Sequence, residues 1–193
     1  MNKPGPARKG GLVQKLPMLK QGRATAGMGS LVFRPEISLT NELKSVALES
    51  GAWKSLARYY LRRLQMPRAG LGLLICGDAR SRALNLRFRR KDRPTDVLSF
   101  PLNEGRLKKG FAGELGDVAI NLPYARRKLG RFAPTLHEET AFLFLHGILH
   151  LSGYHHDSPA EEARMWRLSR SIFPPPAALS RRLRISRPKA HVR

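Results

Sequence analysis

The run His146-Gly147-Ile148-Leu149-His150-Leu151-Ser152-Gly153-Tyr154-His155-His156 holds four of the chain's six histidines. His146 and His150 are four residues apart. On a helix that spacing puts both imidazoles on one face, about 6 Å apart along the axis. The apolar lead-in Ala141-Phe142-Leu143-Phe144-Leu145 supports such a helix. Gly153 offers a left-handed stop, after which the chain turns back and His156 arrives as a third ligand. Three histidines leave one position of a tetrahedral zinc open to water, the pattern of catalytic rather than structural sites. His155 either faces solvent, supports a ligand or competes with His156. His137 and His191 have no partners in sequence and read as surface residues.

The same spacing occurs in the metzincin proteases, whose second motif residue is a glutamate that takes a proton from water. Here that position is Gly147. The metal cage is kept and the peptidase's base is missing. A metalloprotease remains an alternative only if Glu138 or Glu139, two turns up the same helix, reaches back as a substitute base.

The chain has 193 residues, enough for one domain with flexible ends. Its net charge of +22 calls for a polyanionic partner, nucleic acid first. Residues 1–29 and 174–193 each carry six Lys or Arg and no acid, so the middle is basic as well. No apolar run reaches the ~20 residues of a membrane helix. The single cysteine, Cys76, sits in an apolar run and reads as core rather than nucleophile. Without an internal disulfide or a secretory leader, a reducing, cytoplasmic setting is expected.

Three parts follow: a basic disordered extension over 1–29, a folded domain over 30–173, and a basic tail over 174–193. Within the domain, Leu31–Phe33 is a short strand candidate. Ser38-Leu39-Thr40 offers caps to a helix from about Asn41 to Leu64, with Gly51 weakening its middle. Leu71–Cys76 reads as a buried strand, and Asp78 as the cap of a helix through Phe88. Strands are expected over 95–101 and 114–122, separated by a Gly/Lys loop. Pro123 opens a helix, Pro134-Thr135 starts the metal-bearing one, and Ser158-Pro159 starts the last, which Pro174-Pro175-Pro176 ends. The fold class is α+β: a small mixed sheet of about four strands flanked by helices, one of them a zincin-like metal helix.

A basic turn, Arg87-Phe88-Arg89-Arg90-Lys91-Asp92-Arg93, follows the second helix. Guanidinium groups are planar, bidentate and always charged, so such a turn can clamp a phosphodiester. It reads equally well as a solvated helix C-terminus.

Three blocks in order carry a family resemblance: Asn85…Arg89-Arg90-Lys91-Asp92-Arg93-Pro94-Thr95-Asp96-Val97-Leu98-Ser99-Phe100-Pro101, then Leu115-Gly116-Asp117-Val118-Ala119-Ile120, then the histidine run. Together they resemble the YbeY family of bacterial rRNA maturation factors over about residues 30–172. The resemblance implies a metal-dependent, single-strand-specific endoribonuclease acting in 16S rRNA 3′-end maturation and ribosome quality control. It implies one zinc ion, or another divalent transition metal, on His146, His150 and His156, and a functional arginine at Arg89. The implied partners are rRNA and the small ribosomal subunit, with no membrane; a non-catalytic, ribosome-associated RNA-binding factor with structural zinc is the alternative. Three departures stand out. His155 replaces the usual aspartate, Phe88 stands where tyrosine is common, and the long basic tails are not a general family trait.

Overall fold

The computed structural model describes residues 36–186. The expected 1–29 extension, the Leu31–Phe33 strand, His191 and the end of the 174–193 tail lie outside the described residues.

The first strand, β1, is Ile37–Asn41, followed by a two-residue strand β2, Ala47–Leu48, and helix α1, Ser50–Arg63. This corrects the helix expected from Asn41. Ser38 and Thr40 are not caps; they lie in an edge strand running parallel to the next strand, with Ile37 opposite Leu71 and Asn41 opposite Ile75. The Asn41 side chain then breaks the chain direction: its Oδ1 accepts from Leu43 N and its Nδ2 donates to Val46 O. Such a local side-chain turn competes directly with a helical start. Gly51 therefore sits in the first turn of α1 rather than in its middle.

Strand β3, Gly70–Cys76, is buried along its whole length, as a strand covered on both faces must be. Helix α2, Asp78–Arg89, follows. Its N-cap is Gly77, so Asp78 is not the cap. Its carboxylate instead accepts from Asn121 and from both terminal nitrogens of Arg127. Strands β4, Val97–Pro101, and β5, Glu114–Asn121, form an antiparallel pair. Helices α3 (Leu122–Arg127), α4 (Leu136–Leu151) and α5 (Pro159–Ile172) follow, then the short helix α6 (Ala177–Ser180) and strand β6 (Ile185–Ser186).

The main sheet has the order β1-β3-β5-β4, with β4 alone antiparallel. Alternation divides it into two faces. Leu71, Leu73, Ile75, Val118 and Ile120 join the large core with α1 and α4. Leu74, Cys76, Leu98 and Ala119 form a smaller one beneath Leu84 and Phe88 of α2. Tyr60 of α1 donates to Ala141 O of α4 at 3.1 Å, tying the two helices on the larger face. Cys76 is fully buried, and burial pushes its thiol up to about 12, so it is an inert core residue.

Residues 174–186 are folded, which shortens the proposed tail. β6 pairs antiparallel with β2, Leu48 opposite Ile185, and Leu183 is buried. No single stretch of sequence signals this pairing, because its two strands lie at opposite ends of the domain.

Asp117 of β5 is a costly choice for the fold. It is 4% exposed, and its Oδ1 has no hydrogen-bond partner among the described residues. Gly72 leaves the space for it: a Cβ there would meet Oδ1 at 2.0 Å. Burial, and then the Glu114 charge, push the carboxyl up to about 6. A carboxyl raised on folding favours the folded state below its ordinary value of 3.8 and loses that contribution as pH rises through about 6. Asp117→Asn is expected to flatten the fall in stability between about pH 4 and pH 7. Urea midpoints across that range check it, and an unaltered slope would assign the titration to another group.

Candidate metal centre

Helix α4 is set by its ends. The Thr135 hydroxyl caps it, accepting from Glu138 N and donating to the Glu138 carboxylate. At the other end Ser152 is the C-cap, Gly153 N donates to His150 O, and Tyr154 N donates to Leu149 O. This is the paired Schellman closure, and Gly153 adopts the left-handed φ of 83° that it requires. A Cβ on Gly153 would also meet Gly105 O at 2.1 Å. The turn that returns the chain toward His156 therefore needs glycine twice over.

Between these ends α4 is apolar on nearly every side and buried against the sheet. Gly147 marks its closest approach: a Cβ there would lie 2.5 Å from Val118 Cγ1. The glycine that removes the peptidase's base thus has a positive reason to be there. It faces β5, where no larger residue fits.

His146 and His150 project together, one turn apart. Their Nε2 atoms are 3.2 Å apart. The His156 ring lies 5.1 Å from that of His146 and 4.8 Å from that of His150. One ligand atom from each of the three lies within 4.8 Å of the others. Two nitrogens bonded to a tetrahedral zinc at about 2.05 Å would stand roughly 3.3 Å apart, so the first pair already has that spacing. Burial, then the His156 ring and the Arg131 charge, push His146 down to about 4. Burial, followed by His146, His156 and His155, pushes His150 down to about 3. Both rings are neutral at pH 7, with lone pairs free to bind a cation. The donor set fits a divalent transition ion. His155 is exposed, its ring 5.9 Å from His150 and outside the trio. His137 is bonded to the Thr135 hydroxyl and takes no part.

Arg89 closes α2. Burial lowers its pKa and the nearby Asp96 carboxylate opposes that. Asp96 Oδ2 is also ion-paired with Arg131 Nη1 at 3.6 Å, and Arg131 is the cation whose charge reaches His146. Asp96 is held in place by Val97 N and the Thr95 hydroxyl. Asp96 thus pairs with Arg131, and its charge is also felt at Arg89. The sequence reading missed Arg131; a lone cation in a turn carries no periodic signal, and only the fold brings it there.

The two candidate substitute bases are engaged elsewhere. Glu139 is 1% exposed, and its Oε2 accepts from Phe132 N and Ala133 N at 3.0 and 2.9 Å. Glu138 is bound by Thr135. Neither is aimed at the histidines.

Fold and cluster together define a class: a small α+β protein with a zincin-like helix whose three histidines can hold one metal ion. The chain belongs to the endoribonuclease YbeY family, whose model matches residues 38–175. It is 37% identical to an endoribonuclease YbeY of a Sulfurihydrogenibium species over 139 residues, 71% of this chain and 90% of that protein. It is 35% identical to that of Persephonella marina over 138 residues, again 71% and 90%. The match to the Myxococcus xanthus protein is 41% identical over 119 residues, 61% of this chain and 40% of the other. A solution structure from Thermotoga maritima aligns with a TM-score of 0.47 and 24% identity, covering 70% of this chain and 87% of that one.

Proposed function

We propose that this protein is a divalent-metal-dependent endoribonuclease that cuts single-stranded RNA, with zinc the expected ion. Its expected setting is the cytoplasm, and its expected task is 16S rRNA 3′-end maturation and quality control on the small ribosomal subunit. The observation that carries the reading is the convergence of three histidines, two of them neutral and half-buried, in a chain of this family. The net charge of +22 supports a polyanionic substrate, and among the described residues no helix is long and apolar enough to cross a membrane.

His146, His150 and His156 would hold the ion. When bound, it supplies Lewis acidity to a phosphodiester oxygen. Arg89 places a fixed positive charge where negative charge builds on the phosphoryl oxygens. Asp96, ion-paired with Arg131, offsets part of the positive charge near Arg89. Gly147 offers no base, and both glutamates of α4's first turn are occupied, which removes the support for a peptidase. The proton of the attacking group, water or the RNA's own 2′-OH, is left to exposed His155 or to solvent.

End-group analysis of cleaved single-stranded RNA tests the reading. A cyclic phosphate assigns the attack to the 2′-OH, and a free 3′-OH assigns it to water. Arg89→Ala is expected to keep stoichiometric metal and lose cleavage by about a hundred-fold. Full cleavage in that variant would remove the arginine from the mechanism. Tight metal binding with salt-sensitive rRNA binding and no cleavage would make the protein an RNA-binding factor instead.

A further inference from the structure

Beside the metal centre lies an aromatic surface that the reaction as described does not use. Phe142 of α4 is 5% exposed and forms its buried layer. Phe132 stacks on it at 4.5 Å with an interplanar angle of 23°. Trp166 of α5 stacks on it at 5.9 Å and 21°. Phe132 and Trp166 are 5.8 Å apart and both remain partly exposed. Packing α5 onto α4 accounts for Phe142; it does not account for Trp166 remaining partly exposed to water.

Arg131, whose charge reaches His146, and helix α4, which carries both Phe142 and His146, connect this surface to the histidines. Glu139 binds the backbone of Phe132 and Ala133, so the rings are fixed to the helix that carries His146. The Arg131 guanidinium carbon lies 4.8 Å from the Phe132 ring centre and is itself paired with Asp96. Arg131 is 59% exposed on its side chain, so one face of its guanidinium remains open to a phosphate. Cation, carboxylate and aromatic rings thus form a continuous strip leading away from the metal centre.

We propose that Trp166, backed by Phe142 and flanked by Phe132, forms a nucleobase-stacking subsite for single-stranded RNA, with Arg131 on the adjoining phosphate; this rests on the endoribonuclease reading. A partly exposed indole beside a cation accepts any base, because every base has a π-face. A duplex keeps its bases stacked within the helix and cannot present one. The strip therefore selects unpaired strands without reading their sequence.

The chain has two tryptophans, and Trp53 is fully buried, so Trp166 is the one that solvent and RNA can reach. The full chain, freed of metal by chelation, is titrated with a single-stranded 2′-O-methyl oligoribonucleotide while tryptophan emission and strand anisotropy are followed. An abasic strand of equal length and a duplex serve as comparisons. The intact strand is expected to quench Trp166, and the abasic strand and duplex are not. Trp166→Leu, its fold checked by circular dichroism, is expected to bind the intact strand about ten-fold more weakly and the abasic strand unchanged. Unaltered emission at saturating anisotropy, or an equal loss for both strands, overturns the subsite. Quenching without cleavage by the metal-loaded protein supports the subsite and sinks only the nuclease reading. Cleavage without quenching does the reverse.

Discussion

A His150→Ala variant is expected to lose its bound metal and, with it, RNA cleavage by more than about a hundred-fold, since even outer partners of metal ligands cost 10–100-fold. His150 is the middle member of the cluster. Its Nε2 stands 3.2 Å from that of His146, and its ring is 4.8 Å from that of His156. Removing it leaves two donors, too few to hold a divalent ion against water. The effect also has a thermal signature. A ligand present at a thousand times its Kd stabilises the folded state by about 4 kcal/mol. For a domain of this size that corresponds to a melting shift of roughly 10 °C. Chelation should therefore lower the melting temperature of the parent protein and leave His150→Ala unmoved. Elemental analysis with paired melts, with and without chelator, measures both. One equivalent of metal retained by the variant would strike His150 from the ligand set.

Gly147→Glu rebuilds the peptidase motif in letters, yet it is expected to unfold the protein rather than make a peptidase. A Cβ at 147 would lie 2.5 and 2.9 Å from the two methyls of Val118. Val118 is fully buried in β5, which is paired on both sides, so it cannot give way. Helix propensity alone would favour replacing glycine by about 1 kcal/mol. Overpacking costs about 1–3 kcal/mol and a buried unpaired carboxylate adds several more, so packing decides the sign. We expect at least about 3 kcal/mol of lost stability by denaturant titration and no casein digestion. Gly147→Ala, with the steric term alone, should fall between the variant and the parent. A stable Gly147→Glu protein would mean that α4 can lift from the sheet.

The histidine pair was legible because a helix repeats every 3.6 residues, so residues 146 and 150 must share a face wherever the helix packs. His156 was legible through Gly153, whose left-handed turn is a local property of glycine. The two capped helix starts at Thr135 and Ser158 were legible for the same reason, since each cap bonds a backbone group three residues on. The helix expected from Asn41 failed because its competitor was distant. β1 gains its hydrogen bonds from β3, some thirty residues later, and β2 gains its partner from β6. Local propensity is a small term beside pairing of that kind.

By itself, the sequence determined the elements whose energetics are local: the helix that carries His146 and His150, its closing glycine, its caps, and a basic charge suited to nucleic acid. Only the tertiary structure decided what those elements face. It set Gly147 against Val118, withdrew Glu139 to hold the 132–133 backbone, put Arg131 between Asp96 and His146, and laid Trp166 over Phe142. Each of these depends on groups brought together by core burial, and burial energy depends on area rather than on chain order, so no local pattern in the sequence records it.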